Sequence, residues 1–154
     1  METKHATVIQ LRGISLAGKA DSNHWVMIDG DEKFGGSNAA STPKELLLMA
    51  LGGCTASDVI SILRKRRVPV ERYEIHLTGT VRDEHPKIFT DIHIEYVVYG
   101  NGISQADAER AIELSITKYC PVSAMLSGNV RMTHSLRIES SSLAGAANAI
   151  VPGN

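Results

Sequence analysis

The side chains best suited to nucleophilic or redox chemistry are the two cysteines, Cys54 and Cys120. Cys54 lies in Leu51-Gly52-Gly53-Cys54-Thr55-Ala56-Ser57-Asp58-Val59, inside the longest apolar stretch of the chain. Cys120 lies in Lys118-Tyr119-Cys120-Pro121-Val122. A free thiol titrates near pH 8.5, so little of it is thiolate at neutral pH unless a helix N-terminus or a cation stabilises the anion. Cys120 stands where a helix must restart and has backbone amides close by. Cys54 is in mid-helix and needs a side-chain cation. By spacing alone, two isolated cysteines read first as buried small hydrophobes. Asp58 falls one turn after Cys54 on the same helical face. An acid beside a thiol raises its pKa, so Asp58 suits a cation or an amide partner better than it suits thiol activation. His134, on an apolar strand face, reads as a satisfied core histidine rather than a base, and His76 and His93 read as solvent-side residues.

Composition narrows the classes. The chain has 154 residues, 43% hydrophobic and 21% charged, with a formal net charge of −1. This is a globular composition with one domain's worth of core, and it lacks the basic face of a nucleic-acid binder. The one basic run, Arg64-Lys65-Arg66-Arg67, closes a predicted helix, where cations oppose the macrodipole. No segment is expected to reach the length of a membrane span, and Met1 to Ala6 shows no signal-peptide pattern. The expected location is the cytoplasm, where thiols stay reduced. Neither cysteine belongs to a paired CxxC or CxxH spacing, so no metal site is expected.

The elements that must position the thiols follow from periodicity. Ala6–Arg12, Ile14–Ala20 and Trp25–Asp29 read as short strands, and Phe34–Ser41 as a loop of small residues. Thr42-Pro43 opens a helix, with Glu45 in the capping-box position, running to Arg66 before Val68-Pro69. Its segment Leu46–Leu51 has no polar face, which calls for a central helix wrapped by sheet or one covered by a second subunit. Gly52-Gly53 costs roughly 2 kcal/mol of helix propensity against two alanines, which close approach by another element would offset. Tyr73–Arg82 and Ile88–Val98 alternate as a long hairpin. Ser104 caps a second helix, which breaks at Cys120-Pro121. Asn129–Ile138 is a last strand. The reading is α+β, with a mostly antiparallel six-stranded sheet and two main helices packed across it. Residues 1–139 form a single domain, and 140–154 a disordered tail.

The stretches Phe34-Gly35-Gly36, Thr42-Pro43-Lys44-Glu45-Leu46, Ala50-Leu51-Gly52-Gly53-Cys54 and Lys118-Tyr119-Cys120-Pro121-Val122 resemble the OsmC/Ohr family of osmotically inducible and organic hydroperoxide resistance proteins. The resemblance runs from about Ala6 to Glu139, and within the family the Leu-Met-Ala-x-Gly-Gly-Cys run looks most like the YhfA-type branch. It implies an intertwined homodimer, with sheets wrapped around central helices and active sites at the interface. It further implies reduction of an organic, fatty-acid-type hydroperoxide: Cys54 is oxidised to a sulfenic acid, Cys120 resolves it as a disulfide, and an external dithiol such as a lipoylated protein restores both. No cofactor, nucleic acid or membrane is implied.

The sequence departs from the family pattern at two places. Characterised hydroperoxidases carry a glutamate directly after the helix-opening proline, where it orients an arginine that stabilises the thiolate. Here Lys44 takes that place and Glu45 follows it, a rotation of roughly 100° around the helix. Arg12 is the best positional match to the arginine, and Arg82, in Val81-Arg82-Asp83-Glu84-His85-Pro86, is the second. These departures motivate an alternative: a non-catalytic stress-associated or small-ligand-binding module that keeps the fold and the thiols.

Overall fold

The computed structural model describes residues 1–141; the expected disordered tail, apart from its first two residues, lies outside the described part. The chain forms two compact units, residues 1–49 and residues from Ala50 on.

The first unit is an antiparallel meander of β1 (Ala6–Arg12), β2 (Ser15–Ala20) and β3 (Trp25–Ile28). Gly13, at φ +58°, makes the turn between β1 and β2. A loop follows, organised on the buried carboxylate of Asp29. That group accepts hydrogen bonds from the Ser15 and Ser37 hydroxyls (3.1 and 2.7 Å) and from the amides of Gly30 and Ala39 (2.8 and 3.0 Å). These donors hold the Asp29 carboxyl well below the usual range, the Ser37 hydroxyl most of all. The Phe34-Gly35-Gly36 motif lies in this loop. A Cβ on Gly36 would stand 2.0 Å from the Gly30 carbonyl oxygen, so only glycine fits there.

Helix α1 (Pro43–Lys65) begins on a reciprocal capping box: the Thr42 amide donates to Glu45 Oε2 (2.6 Å) and the Glu45 amide to Thr42 Oγ1 (3.4 Å). It ends with Arg67 at φ +58° and the Val68 amide donating to the Leu63 carbonyl (3.0 Å), a Schellman-type closure without glycine. The expected wrapping of this helix by sheet on all sides is not seen within the chain. One stripe is buried: Leu51, Gly52, Thr55, Val59 and Leu63. Leu47, Met49 and Ile60 remain exposed on the chain. Of the glycine pair, only Gly52 marks a close approach. A Cβ there would meet Leu77 Cδ1 at 2.7 Å, whereas Gly53 faces open space. Contrary to the sequence expectation, α1 is long and apolar enough to cross a membrane. Its buried stripe meets the sheet of the second unit, where Gly52 faces Leu77 and Thr55 is bonded to Tyr96.

That sheet consists of β4 (Arg72–Val81), β5 (Phe89–Tyr99) and β6 (Arg131–Glu139), with β5 in the middle. β4 and β5 form the expected hairpin, and Ile92, Ile94, Tyr96 and Val98 are all buried. β6 runs parallel to β5, not antiparallel. The chain between them is a helical crossover, which is the connection a parallel pair requires. The crossover consists of α2 (Gln105–Leu114), a π-helical turn (Ser115–Tyr119) and α3 (Pro121–Leu126). Among the described residues the expected single six-stranded sheet is therefore two sheets of three strands, and there are three α-helices, the third only six residues long. β3 and β4 are consecutive strands separated by the 23-residue α1, and a connection of that length does not impose the direct pairing that a short turn would.

Candidate functional site

Helix α1 and the helix break after α2 bring the sequence-predicted thiols together. On α1, Cys54 and Asp58 are four residues apart and share a face. On the other side, Pro121 has no amide proton, and it keeps the preceding residue out of the α region. Cys120 is accordingly extended (φ −73°, ψ 103°) and serves as N-cap of α3, its Sγ accepting from the Ser123 amide at 3.4 Å. The preceding turn widens to a π-turn, closed by the Cys120 amide on the Ser115 carbonyl at 2.8 Å. The Cys54 sulfur, the Cys120 sulfur and a carboxylate oxygen of Asp58 all lie within 4.8 Å of one another. Cys120 is only 2% exposed, whereas Cys54 is half-buried and reachable.

A hydrogen-bonded chain stands behind these groups. Ser115 Oγ donates to Asp58 Oδ2 (3.1 Å), Thr55 Oγ1 lies 2.9 Å from Ser115 Oγ, and the Tyr96 hydroxyl lies 2.7 Å from Thr55 Oγ1. Each hydroxyl has a single proton. Ser115 spends its proton on the carboxylate, so Thr55 must donate to Ser115, and Tyr96 must donate to Thr55. The order Tyr96 → Thr55 → Ser115 → Asp58 is thus fixed by the acceptor at its end. Thr55 and Ser115 were not singled out by sequence; their signals are Thr55 following Cys54 on the buried stripe and Ser115 five residues before Cys120.

Electrostatics at Cys54 run against an activated thiolate. Burial pushes its thiol up, and the neighbouring Cys120 and Asp58 push it the same way, opposed by the Val122 amide that donates to it. Burial likewise raises the Tyr96 phenol. Among the described residues, no hydrogen bond or ion pair brings a Lys, Arg or His to Cys54, Cys120 or Asp58. Asp58 opens onto a cavity of about 340 Å³ also lined by Lys65, Arg66 and Tyr119. Arg66 there is engaged by Asp107, its Nε 2.9 Å from Oδ1.

The other predicted residues have these places. Glu45 gives one carboxylate oxygen to the Thr42 amide. Arg12 ends β1, paired in register with Ser15, and is exposed. Arg82 follows β4 in the hairpin turn, its Nε donating to the Pro86 carbonyl at 2.6 Å. His134 corrects the sequence reading: it is exposed rather than core, because β6 is an edge strand of its sheet, and its ring meets Tyr96 edge-on at 6.5 Å.

The family model described as OsmC-like protein matches residues 35–135. Protein YhfA of Escherichia coli K12 is 39% identical over 133 residues, 86% of this chain and 96% of that protein. A hypothetical protein from Aquifex aeolicus superimposes with a TM-score of 0.81 at 30% identity, over 92% of this chain and 99% of its own. The organic hydroperoxide resistance protein OhrB of Bacillus subtilis shares the fold at a TM-score of 0.61 and 16% identity, over 88% of this chain and 98% of its own.

Proposed function

Because this chain belongs to the OsmC-like family, we propose that it is a two-cysteine thiol peroxidase acting on organic hydroperoxides. The observation that carries the reading is the convergence of an accessible Cys54 and a buried Cys120 on one point from separate helices. The Bacillus subtilis fold relative, an organic hydroperoxide resistance protein, suggests the substrate class.

In this reading the Cys54 thiolate attacks the distal peroxide oxygen. The O–O bond breaks, the alcohol leaves with a proton, and Cys54 becomes a sulfenic acid. The Cys120 thiol then displaces water to form the disulfide, which halts further oxidation of Cys54. An S–S bond is about 2.05 Å long, so the sulfurs need only close from within 4.8 Å by side-chain rotation and a small helix shift. An external dithiol, such as a lipoylated protein, returns both thiols and leaves as a disulfide. No further cofactor is needed for this cycle. Arg12 with Glu45, and Arg82 as second choice, are the proposed groups that lower the Cys54 pKa. The exposed apolar residues Val8, Ile9 and Leu11 of β1 and Trp25, Val26 and Met27 of β3 support a homodimer, and the expected setting is the cytoplasm.

The surroundings of Cys54, where burial and the neighbouring Cys120 and Asp58 push the thiol up, favour the alternative of a non-catalytic, small-ligand-binding module. Peroxide consumption with a dithiol reductant separates the two. The enzyme reading requires saturable turnover with cumene or fatty-acid hydroperoxide, abolished in Cys54→Ser. In Cys120→Ser it requires a trapped sulfenic acid on Cys54. Full turnover by Cys54→Ser, or no turnover by the wild type, sinks it.

A further inference from the structure

Three ligand atoms, Cys54 Sγ, Cys120 Sγ and an Asp58 oxygen, lie within 4.8 Å of one another, and no described side-chain cation is bonded to any of them. We propose that the reduced protein binds one thiophilic divalent cation of the zinc class through Cys54, Cys120 and Asp58.

A metal site can be checked by ligand identity and count, spacing, an outer shell that holds the ligands, and an entry path. Two thiolates and one carboxylate suit a borderline-soft cation such as Zn²⁺, and three protein ligands leave the fourth tetrahedral position open to water. Tetrahedral coordination at Zn–S of about 2.3 Å and Zn–O of about 2.0–2.2 Å places the ligand atoms roughly 3.5–4 Å apart, within the span the structure sets. The outer shell is in place. Ser115 donates to Asp58 Oδ2, and Thr55 and Tyr96 hold Ser115 in turn, so the carboxylate is oriented from behind. Asp58 lines a cavity, which gives an approach to its carboxylate, and Cys54 is itself half-buried rather than enclosed. The ligands come from α1 at i and i+4 and from the N-cap of α3, which is why no CxxC-type spacing announces them.

Binding involves no redox change. Two S–H bonds break, both protons pass to the solvent, and the metal remains divalent between two thiolates. A metal-bound pair cannot simultaneously be a disulfide, so the cation and the oxidised state exclude each other. The binding itself is independent of the peroxidase reading; its consequence, a metal that masks the thiols from hydroperoxide, rests on that reading.

The test titrates Zn²⁺ into reduced, chelator-washed full-length protein by calorimetry and by competition with a chromophoric chelator. Co²⁺ is used in parallel, since its thiolate charge-transfer absorption reports sulfur ligation without any mutation. One equivalent per chain is expected, lost in Cys54→Ser and in Cys120→Ser, and lost again after the disulfide is formed. Asp58→Asn should weaken it about ten-fold or more, and Thr55→Val, acting through Ser115, by a smaller factor. Circular dichroism confirms that each variant is folded. Absence of stoichiometric binding, absence of the cobalt–thiolate band, binding that survives oxidation, or equal affinity in folded Asp58→Asn overturns the proposal. The peroxide-consumption assay is run on the metal-free protein, so its failure is read separately.

Discussion

Replacing Thr55 by valine keeps its shape and removes the middle of the Tyr96 → Thr55 → Ser115 → Asp58 chain. Thr55 is fully buried, and its Oγ1 lies 2.7 Å from the Tyr96 hydroxyl and 2.9 Å from Ser115 Oγ. After the change Tyr96, also fully buried, keeps a hydroxyl with no acceptor. A buried donor left unmade costs about 1–3 kcal/mol. Ser115 still donates to Asp58 but loses an incoming bond worth about 0.5–1.5 kcal/mol net. Together these come to about 1.5–4.5 kcal/mol, reduced somewhat by the added apolar methyl. Tyr96→Phe removes the donor and leaves Thr55 bonded to Ser115, so it should cost about 1 kcal/mol. In the double variant no tyrosine hydroxyl is stranded, and its cost should fall short of the summed singles by about 1–2 kcal/mol. Urea unfolding followed by circular dichroism, with all four proteins at one concentration, measures the cycle. Single costs that add to within about 0.5 kcal/mol would show that the two hydroxyls do not depend on each other. The deduced order of donors would then be wrong.

Two further outcomes concern pH. Alkylation of Cys54 in metal-free protein should keep accelerating with pH beyond the range of an ordinary free thiol, because burial and its two acidic neighbours hold it up. Asp58→Asn should move that profile to lower pH, and a profile at or below the free-thiol value in the wild type would contradict the site electrostatics. In the first unit the Asp29 carboxyl is depressed in the fold, so its contribution is fully present above the unfolded value near 3.9 and lost as pH falls through the folded value. Asp29→Asn should lower stability at neutral pH and flatten its acid dependence. Trp25, the only tryptophan, lies in the same unit and reports this by fluorescence; an unchanged acid profile would refute the assignment.

Much of the site was legible because it is written in local rules. Thr42-Pro43 and Glu45 fix where α1 starts, Ser104 fixes α2, and Pro121 breaks the helix at Cys120. Each of these depends on residues within a few positions of one another. Alternation over β4 and β5 specifies the hairpin and its buried face for the same reason. The parallel pairing of β6 was not legible, since strand periodicity is identical for either direction and only the crossover decides it.

Sequence by itself therefore determined the two thiols, the helices that carry them, the break that extends Cys120 and membership of the OsmC-like family. Tertiary structure decided what surrounds the sulfurs. It placed Asp58 beside both, hung a three-hydroxyl chain from residues 96, 55 and 115, and left the Cys54 thiol elevated among acids. Those relations join residues up to 66 positions apart (from Cys54 to Cys120). A pKa depends on distances between such residues, which no local spacing in the chain encodes.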